Sequence, residues 1–560
     1  MEITHKDQPN SRKTIGVIGA GISGLLACKY ALQKGFLPTV FEAHDSIGGV
    51  WSSNVITTTK LQTPKYQFQF SDFPWPDSVA EEFPHHRQVM DYLTRYALHF
   101  KLLPHIKFNH KVIGIDYVSS SSEEEDQQFL WGGSGHAFSD RGKWNVTVQD
   151  NSVNPNPSHH QHSHQEYIFD FVMVCIGKYS DVANIPQFPM NKGPEVFQGK
   201  VLHSMDYAAL LTDNNAAASP HDLVQDKRVT VIGFQKSALD IASQISQLNG
   251  TKNPCTLVFR RAHWSVSEDV VVQSFKNLNR FSELMVHKPN QGFFLWLLAL
   301  LLSPMLWIYS KITERYLKRK YPMAKYNTIP EHPYLNQIRT CTLAVLPPNF
   351  YDKVSEGSII LKKSHSFHFC DKGIVVTSVN RQEGEKEAEE ENVEIVEADV
   401  VIFATGYASQ HKLASIFKST DFQKCISGLS APLYRECIHP KIPNLAILGY
   451  SDSHAVLYST EMRAKWLSCF LEGRFKLPKI RDMEDNVTRW ENCLRKQYSG
   501  VGGDHNGAQI YRPTCVSVML QIYCNDEICK DLNCNPRRKT SIFSELFVPY
   551  GPSDYIDVGN

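Results

Sequence analysis

The chain has 560 residues, with 58 basic and 58 acidic side chains and therefore a formal net charge of zero. At about 150 residues per domain, this length predicts three or four domain-sized units. The balanced charge argues against nucleic-acid binding, and a hydrophobic fraction of 42% excludes a disordered chain, so the sequence is that of a large globular protein.

The first predicted element is a strand, turn and helix of the kind that cradles a phosphate. Residues 14–24 read TIGVIGAGISG, an apolar strand that ends in Gly19-x-Gly21-x-x-Gly24 and continues directly into a helix-like segment. In this motif the first glycine makes the turn, the second lets the backbone approach a pyrophosphate, and the third packs the helix on the strand. We therefore assign a dinucleotide site to Gly19, Ala20, Gly21, Ser23 and Gly24.

The next strand ends in Glu42, 18 residues after Gly24, where an acid can hydrogen-bond the ribose hydroxyls. An acid there favours a ribose without a 2′-phosphate, which suits FAD or NAD rather than NADP. Gly49, Val50 and Trp51 follow as a second close approach of the backbone beside a bulky ring. Because such a segment suits the flavin end of FAD, the first site is predicted to bind FAD.

A second unit of the same design begins at residue 229. The strand ends in Gly233 and a helix follows, but Gln235 and Ala238 occupy the second and third glycine positions. The strand after the helix ends in two arginines, and a guanidinium pairs bidentately with a 2′-phosphate. This unit therefore predicts NADPH as the second cofactor, at Gly233, Lys236, Ser237, Ala238, Asp240, Arg260 and Arg261.

Residues 292–310 form an apolar stretch whose length is near that of a membrane span. Strand-like segments of one domain lie on both sides of it, at 229–233 and 400–406, and this arrangement argues against a single crossing. Pro304 divides the stretch into two shorter pieces. We predict a buried helical hairpin. The alternative is a peripheral membrane contact through residues 292–310, beside the basic tract 318–320.

Thirteen scattered cysteines without a Cys-x-x-Cys pair, and a polar N-terminal segment, predict an intracellular protein with reduced thiols. We expect a cytoplasmic location and no secretion, with peripheral attachment to the endoplasmic reticulum as an open alternative. Four cysteines near the C-terminus are spaced more widely than zinc ligands usually are, so no metal site is predicted. They are Cys515, Cys524, Cys529 and Cys534.

The segment 197–207, FQGKVLHSMDY, resembles the Phe-x-Gly-x-x-x-His-x-x-x-Tyr/Phe fingerprint of flavin-containing monooxygenases at all four fixed positions. The segment 403–407, FATGY, resembles the family's ATG-type motif, which places Thr405 and Gly406 in the cofactor site. The similarity runs from residue 14 to about 490. Within the family it looks like the plant branch, and it is closer to the pipecolate N-hydroxylase-like members of that branch than to the auxin-forming ones.

The resemblance implies an α/β fold of two nested Rossmann-like dinucleotide-binding domains, for FAD and NADPH, with a helical insertion. We place the first part of the FAD domain at 1–188 and the NADPH domain at 189–407. The apolar helical insertion lies at about 280–345 within the NADPH domain. Residues 408–560 complete the FAD domain and add a C-terminal extension.

The resemblance also implies a reaction cycle. NADPH reduces FAD, O₂ adds to the flavin as a C4a-hydroperoxide, and a nucleophilic nitrogen or sulfur of a small molecule takes the terminal oxygen. The family's active-site Asn falls here on Gln62, which keeps the carboxamide but moves it by one methylene, and Leu61 and Thr63 flank it. N-oxygenation is the leading hypothesis. The alternatives are S-oxygenation, Baeyer–Villiger oxidation, or a membrane-peripheral flavoprotein without turnover.

Overall fold

The computed structural model describes residues 12–118, 135–138, 142–152, 163–212, 220–380, 390–427, 433–451, 456–498 and 519–560. The first domain is built on five parallel strands. These are β1 (Thr14–Ile18), β2 (Leu37–Phe41), β3 (Ile106–Lys107), β7 (Phe171–Val174) and β18 (Leu445–Ile447). Their order in the sheet is β18-β7-β1-β2-β3. The central strands β1 and β7 are short apolar runs because both faces of the sheet are covered.

Helices α1 (Ile22–Gln33) and α14 (Val456–Leu471) pack against each other over this sheet, and their contact is the centre of the first core. The remaining elements of the domain are α2 (Val50–Ser53), α3 (His86–His99) and a small antiparallel sheet. That sheet consists of β4 (His110–Val118), β5 (Lys143–Asp150) and β6 (Ser163–Phe169).

The second domain repeats the plan with five parallel strands in the order β13-β10-β9-β17-β8. They are β8 (Lys200–His203), β9 (Val229–Ile232), β10 (Cys255–Phe259), β13 (Ile359–Lys363) and β17 (Val400–Phe403). The helices are α4 (Ser204–Thr212), α5 (Pro220–Val224), α6 (Lys236–Asn249) and α11 (Phe350–Glu356). An antiparallel sheet of β14 (Ser366–Cys370), β15 (Gly373–Asn380) and β16 (Glu390–Glu397) lies beside them.

The second domain is inserted into the first, because the chain leaves the first sheet after β7 and returns to it with β18. The outgoing and returning segments pair with each other, since Ala183 and Tyr407 form an antiparallel bridge. The predicted α/β fold with two nested domains is therefore confirmed. The exact domain limits stay predictions.

An insertion between β10 and β13 contains four helices and two short strands. It contains β11 (Ser265–Val266), α7 (Glu268–Lys276), α8 (Arg280–Leu284), α9 (Phe293–Lys320), α10 (Tyr334–Arg339) and β12 (Ala344–Val345). Within the described residues, α9 is the one helix whose length and composition would allow it to cross a membrane, with a mean hydropathy of 1.9 over 18 residues.

The expectation of a buried helical hairpin at 292–310 is wrong. Helix α9 runs unbroken for 28 residues, and only 11% of its most apolar window is buried. Pro304 does not break it because a neighbouring hydroxyl supplies the missing donor: Ser303 Oγ donates to the Leu300 carbonyl at 3.1 Å. That carbonyl is the one whose normal partner would be the absent N–H of Pro304.

The C-terminal part consists of α12 (Ser409–Ser415), α13 (Thr420–Ser427), α15 (Ile480–Tyr498), α16 (Gln521–Asp531) and α17 (Ile542–Phe547). The last two helices bind the insertion through Arg280 of α8, whose guanidinium pairs with Asp526 at 2.5 Å and with Glu545. Of the four C-terminal cysteines, Cys515 lies outside the described residues, and the other three are free.

Glu283 makes a second, buried contact between α8 and α16. Its side chain accepts hydrogen bonds from the backbone N–H groups of Ile522 at 2.7 Å and Tyr523 at 3.0 Å. The residue is 3% exposed, and burial raises the pKa of this carboxyl from 4.5 to about 7.

This burial predicts a pH-dependent stability. The folded carboxyl holds its proton more tightly than the unfolded one, so folding is favoured at low pH and this advantage is lost as pH rises from about 4.5 to about 7. We expect the free energy of unfolding of Glu283→Gln, relative to the wild-type protein, to rise across that interval and then to level off. Urea unfolding of both proteins at several pH values measures the difference, and a pH-independent difference would contradict the prediction.

Candidate functional site

The first cradle has the close backbone contacts that its glycines predict. Gly19 has a φ of +100°, and a Cβ added to it would lie 2.7 Å from the Cys175 carbonyl oxygen. A Cβ on Gly24 would lie 1.8 Å from the Gly19 carbonyl oxygen, so α1 can pack on β1 only with a glycine there. At Gly21 an added Cβ would meet only Gly49, at 3.7 Å. The space between Gly21 and Gly49 is therefore bounded on both sides by the backbone of these two glycines.

Two further features of this cradle fit a pyrophosphate-linked cofactor. Helix α1 begins after Gly21 with no side-chain cap, which leaves its first N–H groups available to a phosphate. Glu42 lies beneath the turn, where its carboxylate accepts from the Ala20 N–H at 2.7 Å and from the His44 N–H at 3.1 Å. Ser23 lies against Gly449, in the loop that follows β18.

The segment after the cradle leads from Gly49 to the reaction site predicted at Gln62. The Gly48 N–H donates to the Ala20 carbonyl at 3.1 Å, which holds the start of α2, with Val50, beside the cradle. Trp51 contacts Phe68 edge to face, with ring centroids 5.8 Å apart. Phe68 in turn lines a large cavity, so the first cradle and this cavity share a wall.

Gln62 and Thr63 line the same cavity, whereas Leu61 is buried behind them. The Gln62 Oε1 accepts the Val345 N–H at 3.0 Å. Because this contact occupies the carbonyl oxygen, it leaves the Nε2 amide group as the donor of this side chain. Sequence reasoning missed Val345, since no local signal marks a backbone N–H that lies in the distant strand β12.

The second cradle accommodates the alanine at its third glycine position. Gly233 has a φ of +136°, and an added Cβ there would lie 2.5 Å from the Ala404 carbonyl oxygen. The same Cβ would lie 3.5 Å from the Ala238 Cβ, which is an ordinary contact, so a methyl group at the third position is tolerated. Helix α6 also starts without a side-chain cap. These features fit a second dinucleotide.

The polar residues of the second cradle divide into two groups. Lys236, Ser237, Arg260 and Arg261 line the cavity, with Arg260 exposed at the end of β10. Asp240 is buried, and its carboxylate pairs with the Lys236 ammonium at 2.7 Å. Asp240 therefore positions Lys236 and does not itself reach the cavity. Burial raises the pKa of Asp240, and the Lys236 charge opposes that rise.

Thr405 and Gly406 lie where the chain leaves the second domain. The Gly406 carbonyl accepts from the Asn184 N–H and from His203 Nε2, both at 3.0 Å. His203 Nδ1 accepts the Met205 N–H at 3.2 Å, so both ring nitrogens are engaged, and burial lowers the pKa of this imidazole. His203 of the fingerprint therefore holds Gly406 of the returning segment in place and is not placed as a general acid or base.

The cavity measures about 1630 Å³. It brings Gln62 and Thr63 of the first domain to the second cradle, and the middle of α9 contributes Met305, Leu306 and Tyr309 to its wall. No group of three or more metal-ligating side chains occurs in the described part of the chain. The arrangement is a cleft between two nucleotide cradles with a carboxamide at the junction.

Comparison with known proteins decides the family. The profile of the family described as "FMO-like: Flavin-binding monooxygenase-like" matches residues 12–505. The chain belongs to the flavin-binding monooxygenases. A relative from Arabidopsis thaliana, "Probable flavin-containing monooxygenase 1", is 37% identical to this monooxygenase over 549 residues, covering 97% of this chain and 96% of the relative.

A more distant relative is the "Dimethylaniline monooxygenase [N-oxide-forming] 2" of Rattus norvegicus, 26% identical over 85% of this chain and 76% of its own. The solved structure of "OTEMO complex with FAD and NADP (form 3)" has a TM-score of 0.58 against this monooxygenase, with 17% identity over 95% of this chain and 99% of that one. The predicted family, fold and enzyme class are confirmed, and the family's cofactors, FAD and NADPH, match the two cradles.

Proposed function

We propose that this monooxygenase uses NADPH and O₂ to oxygenate a nucleophilic nitrogen of a small molecule. The observation that carries the proposal is the shared cavity, which Gln62 lines together with Gly233 and Arg260 of the coenzyme cradle. Bound FAD would accept a hydride from NADPH and activate O₂, chemistry that protein side chains do not supply. The choice of nitrogen is supported by the relative that is named as N-oxide-forming.

The chain's own residues would bind, orient and exclude water. The backbone at Gly19, Gly21 and Gly49 would hold FAD, and the first turn of α6 would hold the coenzyme pyrophosphate. Val345 fixes the Gln62 side chain so that its amide is presented from a defined direction. Apolar side chains make up much of the cavity wall, which keeps water from the reacting atoms. They include Phe188, Phe234, Phe275, Leu306 and Ile338.

A screen of purified holoenzyme tests the substrate class. Amines, amino acids, thioethers and ketones of similar size are compared for substrate-stimulated NADPH oxidation, and products are identified by mass under ¹⁸O₂. We expect amines or amino acids to give products with one ¹⁸O atom on nitrogen. Products formed only on sulfur, or esters formed from ketones, would overturn the nitrogen assignment but leave the monooxygenase intact.

Coenzyme choice is predicted to depend on Arg260 and Arg261. A charge-assisted hydrogen bond contributes about 1.5–3 kcal/mol, so loss of one arginine–phosphate contact should raise the KM for NADPH about 10–150-fold. The KM for NADH, which lacks the 2′-phosphate, should change little. Steady-state kinetics of the Arg260→Ala and Arg261→Ala variants with both coenzymes measure this, and equal losses for NADPH and NADH would contradict it.

We further propose a cytoplasmic location. The twelve cysteines in the described ranges form no disulfide bonds, as expected of a protein from a reducing compartment. A fluorescent fusion observed beside markers of the cytoplasm and of the endoplasmic reticulum tests this. Signal from inside the secretory pathway would contradict it.

A further inference from the structure

The first half of α9 projects from the protein with apolar side chains. Residues 293–308 include no charged side chain. Five consecutive residues, 293–297, are exposed, and five residues cover more than one full helical turn. The first turn of the helix is therefore apolar and exposed on every side, and large apolar side chains remain exposed further along it, with Phe294 at 84% and Trp307 at 59% of full exposure. A surface of this kind on a soluble protein marks an interaction site.

A second apolar patch lies on α17, in the C-terminal extension. Ile542 and Phe543 of this helix are 82% and 71% exposed. The helix is fixed next to α8, because the Phe547 and Phe281 rings pack together with centroids 5.2 Å apart and Glu545 pairs with Arg280. Helix α8 also contacts α9, so the two exposed patches are carried by one packed group of helices.

The second half of α9 is anchored and basic. Ser310, Thr313, Glu314 and Leu317 are buried against the protein, while Arg315, Lys318, Arg319 and Lys320 are exposed. The helix therefore joins an apolar end of 16 residues, about 24 Å long, to a cationic end. This is the charge pattern that binds an anionic lipid surface, with apolar side chains between the acyl chains and basic ones at the headgroups.

Topology excludes a crossing by α9. The strands before and after the insertion, β10 and β13, are hydrogen-bonded neighbours in one sheet, with Cys255 paired to Ile359. Both flanks of the helix therefore lie on the same side of any membrane. A second copy of this chain is a poorer occupant, because a flat protein surface would cover one side of a helix end that is exposed all round.

We propose that this monooxygenase docks on anionic membranes by inserting the first half of α9 and the exposed face of α17 into one leaflet. The basic end of α9 then lies at the headgroups. Met305 and Leu306 belong both to α9 and to the cavity wall, so the membrane surface lies beside the active-site cleft. The docking surface is defined by Phe293, Phe294, Leu301, Trp307, Ile542 and Phe543.

Sedimentation of the purified holoenzyme with sucrose-loaded vesicles tests the proposal. Vesicles of phosphatidylcholine with about one third phosphatidylserine should pellet the protein, and pure phosphatidylcholine vesicles should do so more weakly. Phe294→Ser with Trp307→Ser should reduce binding at least about tenfold, because each removes a large apolar side chain from the acyl region. Ile542→Ser with Phe543→Ser should also weaken binding. Brominated lipids should quench tryptophan fluorescence of the wild-type protein.

The matched control is Met190→Ser, which removes an apolar side chain that is 90% exposed elsewhere on the protein. It should leave vesicle binding unchanged, and flavin content should be the same in every variant. Unchanged binding after the α9 substitutions would overturn the proposal. The proposal would also be overturned if the wild-type protein bound no vesicles but self-associated in light scattering, and the same substitutions abolished that self-association. We expect alkaline pH to extract the protein from cell membranes. A protein that resists this extraction would overturn the single-leaflet arrangement.

Discussion

A Gly21→Val variant is expected to fold but to purify without yellow colour. At Gly21 the backbone φ is −72°, a value that valine adopts, and the first added carbon meets only Gly49 at 3.7 Å. The apoprotein therefore has room for the β-carbon. The two further methyl groups would extend into the space between Gly21 and Gly49, where the FAD pyrophosphate must pass. Flavin affinity should fall at least tenfold, about 1.4 kcal/mol or more.

The flavin-to-protein ratio, from absorbance of the purified protein, measures this effect, and circular dichroism reports the fold. Gly292→Val is the matched control, because its added Cβ meets nothing within 4 Å at an ordinary φ of −68°. It should retain a full complement of flavin. A Gly21→Val protein with a normal flavin ratio would show that the pyrophosphate does not lie at this cradle.

Gln62→Ala is expected to uncouple NADPH oxidation from product formation. The side chain lies in the cavity with its oxygen held by the Val345 N–H, so its amide is preorganised as a donor. Loss of one such donor from an active site typically costs about 2.7–4 kcal/mol of stabilisation where charge develops. Flavin reduction should stay near normal, whereas H₂O₂ released per NADPH should rise and oxygenated product should fall.

Two conservative variants separate the amide from the shape of the side chain. Gln62→Glu keeps an oxygen for the Val345 N–H but lacks the donor, so it should uncouple like Gln62→Ala. Gln62→Asn, which restores the family's residue, should retain more coupling than Gln62→Ala. Gln187→Ala removes another carboxamide from the same cavity and should have little effect. Normal coupling in Gln62→Ala would place the donor elsewhere.

Local sequence patterns were sufficient for the two cradles. The positive φ of Gly19 and the close approach of Gly24 to the Gly19 carbonyl both arise within one strand, turn and helix, so they follow from a short motif. The position of Gln62 could be expected from the family, but its partner could not. Val345 is 283 residues away, and the contact exists only because the insertion folds back over the first domain.

The apolar stretch shows why exposure could not be predicted. Hydropathy indicates that a segment avoids water, but it does not say whether protein or lipid covers it. The prediction that the helix breaks at Pro304 was wrong because the hydroxyl of Ser303 donates to the Leu300 carbonyl. This compensation depends on side-chain conformation. Lys236 and Asp240 were both assigned to the cofactor, although their spacing of four residues on a helix favours the ion pair that forms.

The return of the chain to the first sheet sets an order of assembly during translation. Strand β7 is apolar and fully buried, and its outer neighbour β18 is synthesised after the whole second sheet. At about 5–20 residues per second, β7 remains an unpaired edge for tens of seconds. The loop after β18 also brings Gly449 against Ser23 of the first cradle. The nascent protein therefore completes its coenzyme cradle first, and FAD can be enclosed only after the chain has emerged as far as Gly449, about four-fifths of its length.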